Sequence, residues 1–203
     1  IRDRHIKINV SVDLKAKSVF GHVTHTLSPL RSNLSSFILH GDDMKIRRIR
    51  MGGKDLKYTH SSNEIHIDLP NPIGWDETVD VRIDYIAHPR EGTYFFGPDD
   101  TYPNQPWQAW TQGETEDNHH WVPLYDYPNE RATFETILTV DQRFQAVSNG
   151  ELLSVEKNKD GTHTWHWKEN FPMVAYLISF VVGEFEKVEY SYKNIPVNYW
   201  VYK

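Results

Sequence analysis

Apolar and polar residues alternate in strand-length segments along most of this chain, and this alternation is the feature that most restricts its fold. In the segment HIKINVSVDL, Ile6, Ile8, Val10 and Val12 fall on one face of an extended chain. No segment has the 3.6-residue spacing of an amphipathic helix over a convincing length. The pattern therefore predicts an all-β fold, with the strands packed as a sandwich or a curved two-sheet assembly.

Turn signals divide the predicted strands. Residues 41–43, Gly-Asp-Asp, separate LSSFILH from MKIRRIRM and predict a hairpin, and residues 159–161, Lys-Asp-Gly, join two later strands. Within MKIRRIRM, Ile46 and Ile49 have opposite parity, which predicts a bulge or a twist. The segment VAYLISFVVGEFEKVEY is almost continuously apolar up to Gly183, and it predicts a strand buried on both faces.

Size and charge restrict the class of protein. The 203 residues (23.9 kDa) suit a single domain, residues 1–203, which is large enough to bury a core although it has no cysteine. A net charge of −6 argues against a nucleic-acid-binding protein. No apolar run approaches the ~18 residues of a membrane span. The chain starts at Ile1 rather than Met, which fits both an exported, processed protein and a trimmed cytoplasmic one, so the compartment stays open.

Residues 111–134, TQGETEDNHHWVPLYDYPNERATF, differ from the strands around them. On an extended chain the adjacent His119 and His120 would point to opposite faces, and the motif H-E-x-x-H is absent, so we expect no zinc site within this chain. Glu114, Glu116 and Asp117 could supply paired acids for glycoside cleavage, but no second feature marks a pair. A cysteine nucleophile and a G-x-S-x-G motif are also absent.

Two side chains in this stretch suit an ammonium ligand. On an extended segment Gln112 and Glu114 would project side by side, about 7 Å apart along the strand. The carboxylate would supply charge, and the amide would orient the ligand through its carbonyl. Gly113 between them leaves room for the close approach of a ligand or another group. Further on, Asp126 lies in a proline-flanked turn, where we expect it to bond backbone amides.

The same stretch resembles the N-terminal domain of the M1 family of zinc aminopeptidases. That family has a T-Q-x-E segment, then F-P-C-F-D-x-P and an A-T-F strand, which correspond here to residues 111–114, 122–128 and 132–134. INVSVDLKAKSVFGHVTHTL, FILHGDDMKI and FPMVAYLISFVVGEFE match further family segments in the same order. The chain departs from the pattern at Thr115, His119 and Leu124, where the family usually has Pro, Arg and Cys.

The resemblance implies a saddle-like two-sheet β-sandwich that precedes a thermolysin-like catalytic domain. In the family the catalytic domain carries H-E-x-x-H, a later Glu and G-x-M-E-N, and its zinc and general base attack the first peptide bond. Those parts are absent from this sequence, so this chain alone should be inactive. Gln112 and Glu114 would bind the α-amino group of the peptide substrate and line its first pocket. The expected partners are the peptide N-terminus and the catalytic domain of the same polypeptide.

Two other functions remain open. Related domains persist in proteins without zinc chemistry, so the chain could be a non-catalytic interaction scaffold. It could also be a carbohydrate-binding module in which Trp107, Trp110 and Trp121 stack on sugars, whereas Trp165 and Trp167 share one strand face and are expected in the core. If a catalytic domain normally covers this one, we expect an exposed apolar patch from Trp110 to Trp121.

Overall fold

The computed structural model describes residues 1–202, and strands account for most of them. The first ten strands are β1 (Arg2–Asp13), β2 (Ser18–Ser28), β3 (Leu34–His40), β4 (Met44–Met51), β5 (Lys54–Asp55), β6 (Lys57–Ser61), β7 (Glu64–Ile73), β8 (Val79–Ala87), β9 (Thr93–Phe96) and β10 (Gln108–Thr111). Seven more follow, β11 (Ala132–Asp141), β12 (Gln145–Ser148), β13 (Glu151–Lys157), β14 (Thr162–Met173), β15 (Phe180–Gly183), β16 (Phe185–Tyr192) and β17 (Ile195–Tyr202). The helical segments are two single 3₁₀ turns, Asn118–His120 and Ala175–Leu177.

The strands of residues 1–202 form four sheets, where the sequence predicts two, and the all-β class is confirmed. The largest sheet has the order β13-β14-β11-β1-β2-β8-β4-β5. β1 and β11 are parallel, and all other neighbouring strands of this sheet are antiparallel. The smaller sheets have the orders β12-β15-β10-β9, β3-β7-β6 and β16-β17. Among the residues described, no helix has the length and apolarity that a membrane crossing requires.

The alternation in β1 defines one wall of the core. Ile6, Ile8, Val10 and Val12 are all at most 5% exposed, as the sequence predicts. Each such side chain contributes about 1.5–3 kcal/mol when it is fully buried. The predicted bulge in β4 is also confirmed, because its register against β8 shifts after Ile46.

The hairpin predicted at residues 41–43 is wrong. β3 pairs with β7 and β4 pairs with β8, so the turn leads the chain from one sheet into another. The Asp43 carboxylate accepts hydrogen bonds from the backbone and side chain of Arg90 and contacts the His120 ring. These tertiary contacts, which local turn chemistry does not encode, direct the chain away from a hairpin.

The single buried strand predicted near the C-terminus is also wrong. A 3₁₀ turn, β15 and β16 share this apolar segment. Phe180 and Val182 in β15 are fully buried, but Val181 between them is 36% exposed. β16 pairs only with β17 among the residues described, and most of its side chains are exposed. Apolar composition alone therefore did not reveal which faces have a partner.

An ion-pair cluster on the central strands gives a prediction for acid stability. In β11, Glu135 lies 3.0 Å from Lys7 Nζ and 2.9 Å from His166 Nε2, and its side chain is only 13% exposed. Burial raises the pKa of Glu135, but the hydrogen bonds from Lys7 and His166 outweigh this effect and lower the pKa to about 2. The stabilisation is therefore complete above the usual carboxyl pKa of 4.5 and is lost as the pH falls towards about 2.

We expect the urea midpoint to fall more steeply between pH 4.5 and pH 2.5 in the native sequence than in Glu135→Gln. The difference arises because the native sequence must protonate a paired carboxylate, whereas the variant has none at this position. Glu151→Gln is a matched control, because Glu151 is exposed on the edge strand β13 and makes no ion pair among the residues described. Parallel midpoint curves for the native sequence and Glu135→Gln would contradict the assignment.

Candidate functional site

Gln112 and Glu114 lie immediately after β10, at the edge of the four-stranded sheet. The pairing of β10 with β9 continues for one residue beyond the strand, because Gln112 N donates to Gly92 O at 3.0 Å. Gly92 has a φ of +70°, and a Cβ there would lie 2.0 Å from Asp117 O, so only glycine fits. The extended segment predicted through Glu114 ends earlier, since Glu114 begins a turn that runs to Asp117.

Both predicted binding side chains are available to a ligand. Gln112 and Glu114 are exposed, whereas Gly113 between them is buried. Within residues 1–202, neither side chain has a hydrogen-bond or ion-pair partner. An amide and a carboxylate without internal partners can accept hydrogen bonds from a cationic ligand.

The buried backbone at Gly113, between these two residues, packs against the side chain of Asn118. A Cβ on Gly113 would lie 2.6 Å from three side-chain atoms of Asn118, so the predicted close approach is made by this amide. Asn118 is 0% exposed. Gly113 O also accepts from Asp117 N at 2.9 Å, which closes the turn that carries Glu114. Sequence reasoning missed Asn118, although its position beside a turn-forming run of polar residues was a weak signal.

The sequence predicts that His119 and His120 point to opposite faces of an extended chain, and this prediction is wrong. They lie in the 3₁₀ turn Asn118–His120, and their rings stack at 4.6 Å between centroids. Asp126 Oδ2 accepts from His119 N at 2.9 Å and contacts its Nδ1 at 3.0 Å, which confirms the predicted bond to a backbone amide. Burial lowers the pKa of His119, but the hydrogen bond and charge of Asp126 outweigh it, so the pKa is raised.

His40 joins this group from a distant strand. Its backbone pairs with Leu124 at 2.7 and 3.0 Å, and its Nδ1 accepts a hydrogen bond from Asp126 N at 3.2 Å. Burial and the neighbouring His119 lower the pKa of His40, in keeping with a ring nitrogen that acts as an acceptor. His40 therefore holds the turn that contains Asp126, and no sequence pattern links the two residues.

One group of possible metal donors lies beside the loop. Single donor atoms of Glu91, Asp117 and His120 are all within 4.8 Å of one another. His120 already uses Nδ1 on Asp43 at 2.9 Å, and its Nε2 lies 3.7 Å from the exposed Glu91 carboxylate. This arrangement fits an ion-pair cluster, and it lacks the closed set of nitrogen or sulfur ligands of a structural zinc site.

The three tryptophans considered as sugar-stacking platforms are more buried than the sequence predicts. Trp121 is 0% exposed and packs edge-on against Phe180, so it is neither a sugar platform nor part of an exposed patch. Trp110 is half-buried between Tyr94 and Phe96, which are 37% and 36% exposed. The half-buried Trp107 packs over Gly97. The predicted patch is therefore wrong at Trp121.

The core assignment of the other two tryptophans is confirmed. Trp165 and Trp167 are 9% and 8% exposed.

A family model and two curated relatives match most of this chain. The family model described as the peptidase M1 N-terminal domain matches residues 2–177. Leukotriene A-4 hydrolase of Xenopus laevis is 24% identical over 194 residues, which cover 90% of this chain and 32% of that protein. Transcription initiation factor TFIID subunit 2 of Danio rerio is 24% identical over 220 residues, which cover 87% of this chain and 18% of that protein.

Solved structures share the fold. An M1 zinc metallopeptidase mutant from Deinococcus radiodurans, bound to a Tyr-Ser-Ala substrate, superposes with a TM-score of 0.82 at 19% identity. A two-domain M1 zinc metallopeptidase mutant bound to L-tryptophan also gives 0.82, at 20% identity. Each alignment covers 97% of this chain and 46% of the other. The chain thus spans less than half the length of these proteins, and because the family model matches residues 2–177, it belongs to the family of peptidase M1 N-terminal domains.

Proposed function

We propose that this chain is the substrate-facing β domain of a zinc aminopeptidase and that Gln112 and Glu114 bind the α-ammonium group of the peptide. The observation that carries the proposal is the pair of exposed side chains, without internal partners, on a loop whose backbone is fixed from below by Asn118. An ammonium group has three N–H donors, and a carboxylate with an amide carbonyl supplies matching acceptors.

The chemistry of peptide cleavage requires a second domain in the same polypeptide. In this proposal residues 1–203 form one domain that caps the active site, and the zinc ion and its ligands belong to the catalytic domain. The structural neighbours named as M1 zinc metallopeptidases support this arrangement, since this chain aligns with only 46% of each. The role of Glu114 is to hold the substrate amine while the other domain activates water at the first peptide bond.

Neutralising Glu114 in the full-length protein tests the proposal. We expect Glu114→Gln to lower kcat/KM for an aminoacyl anilide at least tenfold, because the variant loses the charge that holds the ammonium group; tenfold is about 1.4 kcal/mol of transition-state stabilisation. Glu116→Gln is the matched control, since it removes the same charge from the same turn and should cost less than about threefold, or ~0.65 kcal/mol. Equal effects of the two substitutions would argue against a specific contact between Glu114 and the amine.

A non-catalytic scaffold is the second candidate function. The similarity to a protein named as a TFIID subunit favours it, because that name describes a transcription factor rather than a peptidase. Metal analysis of the full-length protein separates the two candidates. Stoichiometric zinc with anilide hydrolysis supports the aminopeptidase, and a protein without zinc that hydrolyses no aminoacyl anilide supports the scaffold.

A further inference from the structure

We propose that Asn118 is the positioning residue for the amine-binding pair, because its buried side chain fixes the backbone between Gln112 and Glu114. The inference rests on the proposed function of that pair. Asn118 itself is 0% exposed and therefore touches no substrate.

The first step is the contact with Gly113. Three side-chain atoms of Asn118 lie equally close, at 2.6 Å, to the point that a Cβ on Gly113 would occupy. The flat amide therefore packs against the glycine, and no other residue type fits at position 113 without displacing it. Because Gln112 and Glu114 are the direct neighbours of Gly113, a shift of the amide moves both.

The second step is the set of bonds that fixes the amide. Asn118 Nδ2 donates to Ala175 O at 2.7 Å and to Ile178 O at 3.0 Å. Its Oδ1 accepts from Trp121 Nε1 at 2.8 Å. Three buried hydrogen bonds in three directions leave the side chain a single orientation, which a smaller or apolar residue cannot reproduce.

The third step is the segment to which Asn118 is bonded. The carbonyl groups it contacts belong to the 3₁₀ turn Ala175–Leu177 and to the residue after it. Thr111, just before Gln112, makes a second link, since its Oγ1 accepts from Phe180 N at 3.0 Å. The loop that presents Gln112 and Glu114 is thus linked to residues 175–180 by Thr111 before it and by Asn118 after it, and the Asn118 side chain also packs against Gly113.

Substituting Asn118→Asp in the full-length protein tests this role. The carboxylate has nearly the same shape and still accepts from Trp121, but it places negative charge against the carbonyl groups of Ala175 and Ile178. Calorimetric dissociation constants are measured for phenylalanine amide and for 3-phenylpropanamide, which lacks the amine. We expect the preference for the amine to fall at least fivefold in the variant, whereas a general loss of folded protein would leave this ratio unchanged.

Asn149→Asp is the matched control. Asn149 makes the same type of contacts to the same segment, because its Nδ2 donates to Leu177 O at 3.0 Å and its Oδ1 accepts from Ser179 N at 2.8 Å. The three atoms nearest to a Cβ built on Gly113 all belong to Asn118 and none to Asn149. The control variant should lose stability but keep the preference for the amine.

The outcomes separate the two proposals. If Glu114→Gln retains the preference for the amine, the proposed function itself fails. If Glu114→Gln loses the preference but Asn118→Asp keeps it, the role of Asn118 is overturned. Should Asn118→Asp not fold, Gly113→Ala serves instead, since its Cβ presses on an intact Asn118, and an unchanged preference in that variant overturns the inference as well.

Discussion

Replacing His25 with leucine should cost about 3–5 kcal/mol of unfolding free energy, because it leaves Asp3 as a buried charge without its partner. His25 is 0% exposed, and its Nδ1 lies 3.1 Å from both carboxylate oxygens of Asp3. On the other side of the ring, Nε2 lies 2.9 Å from Pro123 O. An ionised carboxylate and a carbonyl both accept hydrogen bonds, so the form of the ring that fits both contacts is the imidazolium, which donates from both nitrogens.

The pH dependence of stability follows from the same contacts. Burial lowers the pKa of His25, but the charge and hydrogen bond of Asp3 and the bond to Pro123 O outweigh it, so the pKa is raised above its usual 6.5. The folded state then binds the proton more tightly than the unfolded state. The stabilisation is complete below pH 6.5 and is lost as the pH rises through the folded-state pKa.

Urea denaturation at pH 6 and pH 9 measures both effects. Compared with His25→Leu, the native sequence should lose more stability between these two pH values. The double variant Asp3→Leu with His25→Leu is the informative control, because it removes both charges and should be more stable than either single variant. A cost below about 1 kcal/mol for His25→Leu would contradict the prediction, because an uncompensated buried charge at Asp3 should cost about 3–5 kcal/mol.

The pair also explains how the site loop, residues 112–122, is attached to the large sheet. Asp3 and His25 belong to β1 and β2, whereas Pro123 follows directly on the loop that contains His119, His120 and Trp121. The imidazolium therefore connects the centre of the eight-stranded sheet to the loop beside Gln112 and Glu114. Loss of this link should loosen the loop before it unfolds the sheet.

The strands were predictable because their information is local. β1 repeats an apolar residue at every second position, and one buried face is enough to produce that pattern. The bulge at Ile46 could be predicted for the same reason, since both faces of a strand keep their parity unless an extra residue is inserted or the strand twists. The C-terminal segment was different, because burial there depends on which sheet covers each face and not on the segment itself.

The sequence identified two candidate residues of the site, but it did not predict the contacts that hold them in place. The spacing of the T-Q-x-E segment singled out Gln112 and Glu114, and their role as binding residues stays a prediction. The partners that hold the loop are far apart in sequence: Asn118 bonds residues 57 and 60 positions away, and His25 bonds Pro123 across 98. Such contacts leave no periodic signal, because each is a single polar pair selected by the folded backbone.

Trp121 shows that the type of a residue alone does not predict whether its side chain is exposed or buried. A tryptophan in an acidic loop suggests an exposed stacking platform, yet this one is 0% exposed and lies 5.1 Å, centroid to centroid, from Phe180. Its Nε1 also donates to Asn118 Oδ1 at 2.8 Å. The ring is therefore both a core side chain of the loop and a partner of the residue proposed to position the amine-binding pair.

Two substitutions at Trp121 separate these roles. Trp121→Ala should cost about 3–5 kcal/mol, because it leaves a large cavity under the loop. Trp121→Phe keeps most of the packing but leaves Asn118 Oδ1 without its donor, which should cost about 1–3 kcal/mol. Urea midpoints measure both costs. If the packing alone mattered, Trp121→Phe would lose only the cost of the small cavity left by the missing ring atoms, about 1 kcal/mol. A clearly larger loss instead indicates that the loop depends on the polar contact between Trp121 and Asn118, the contact that holds the amide against Gly113.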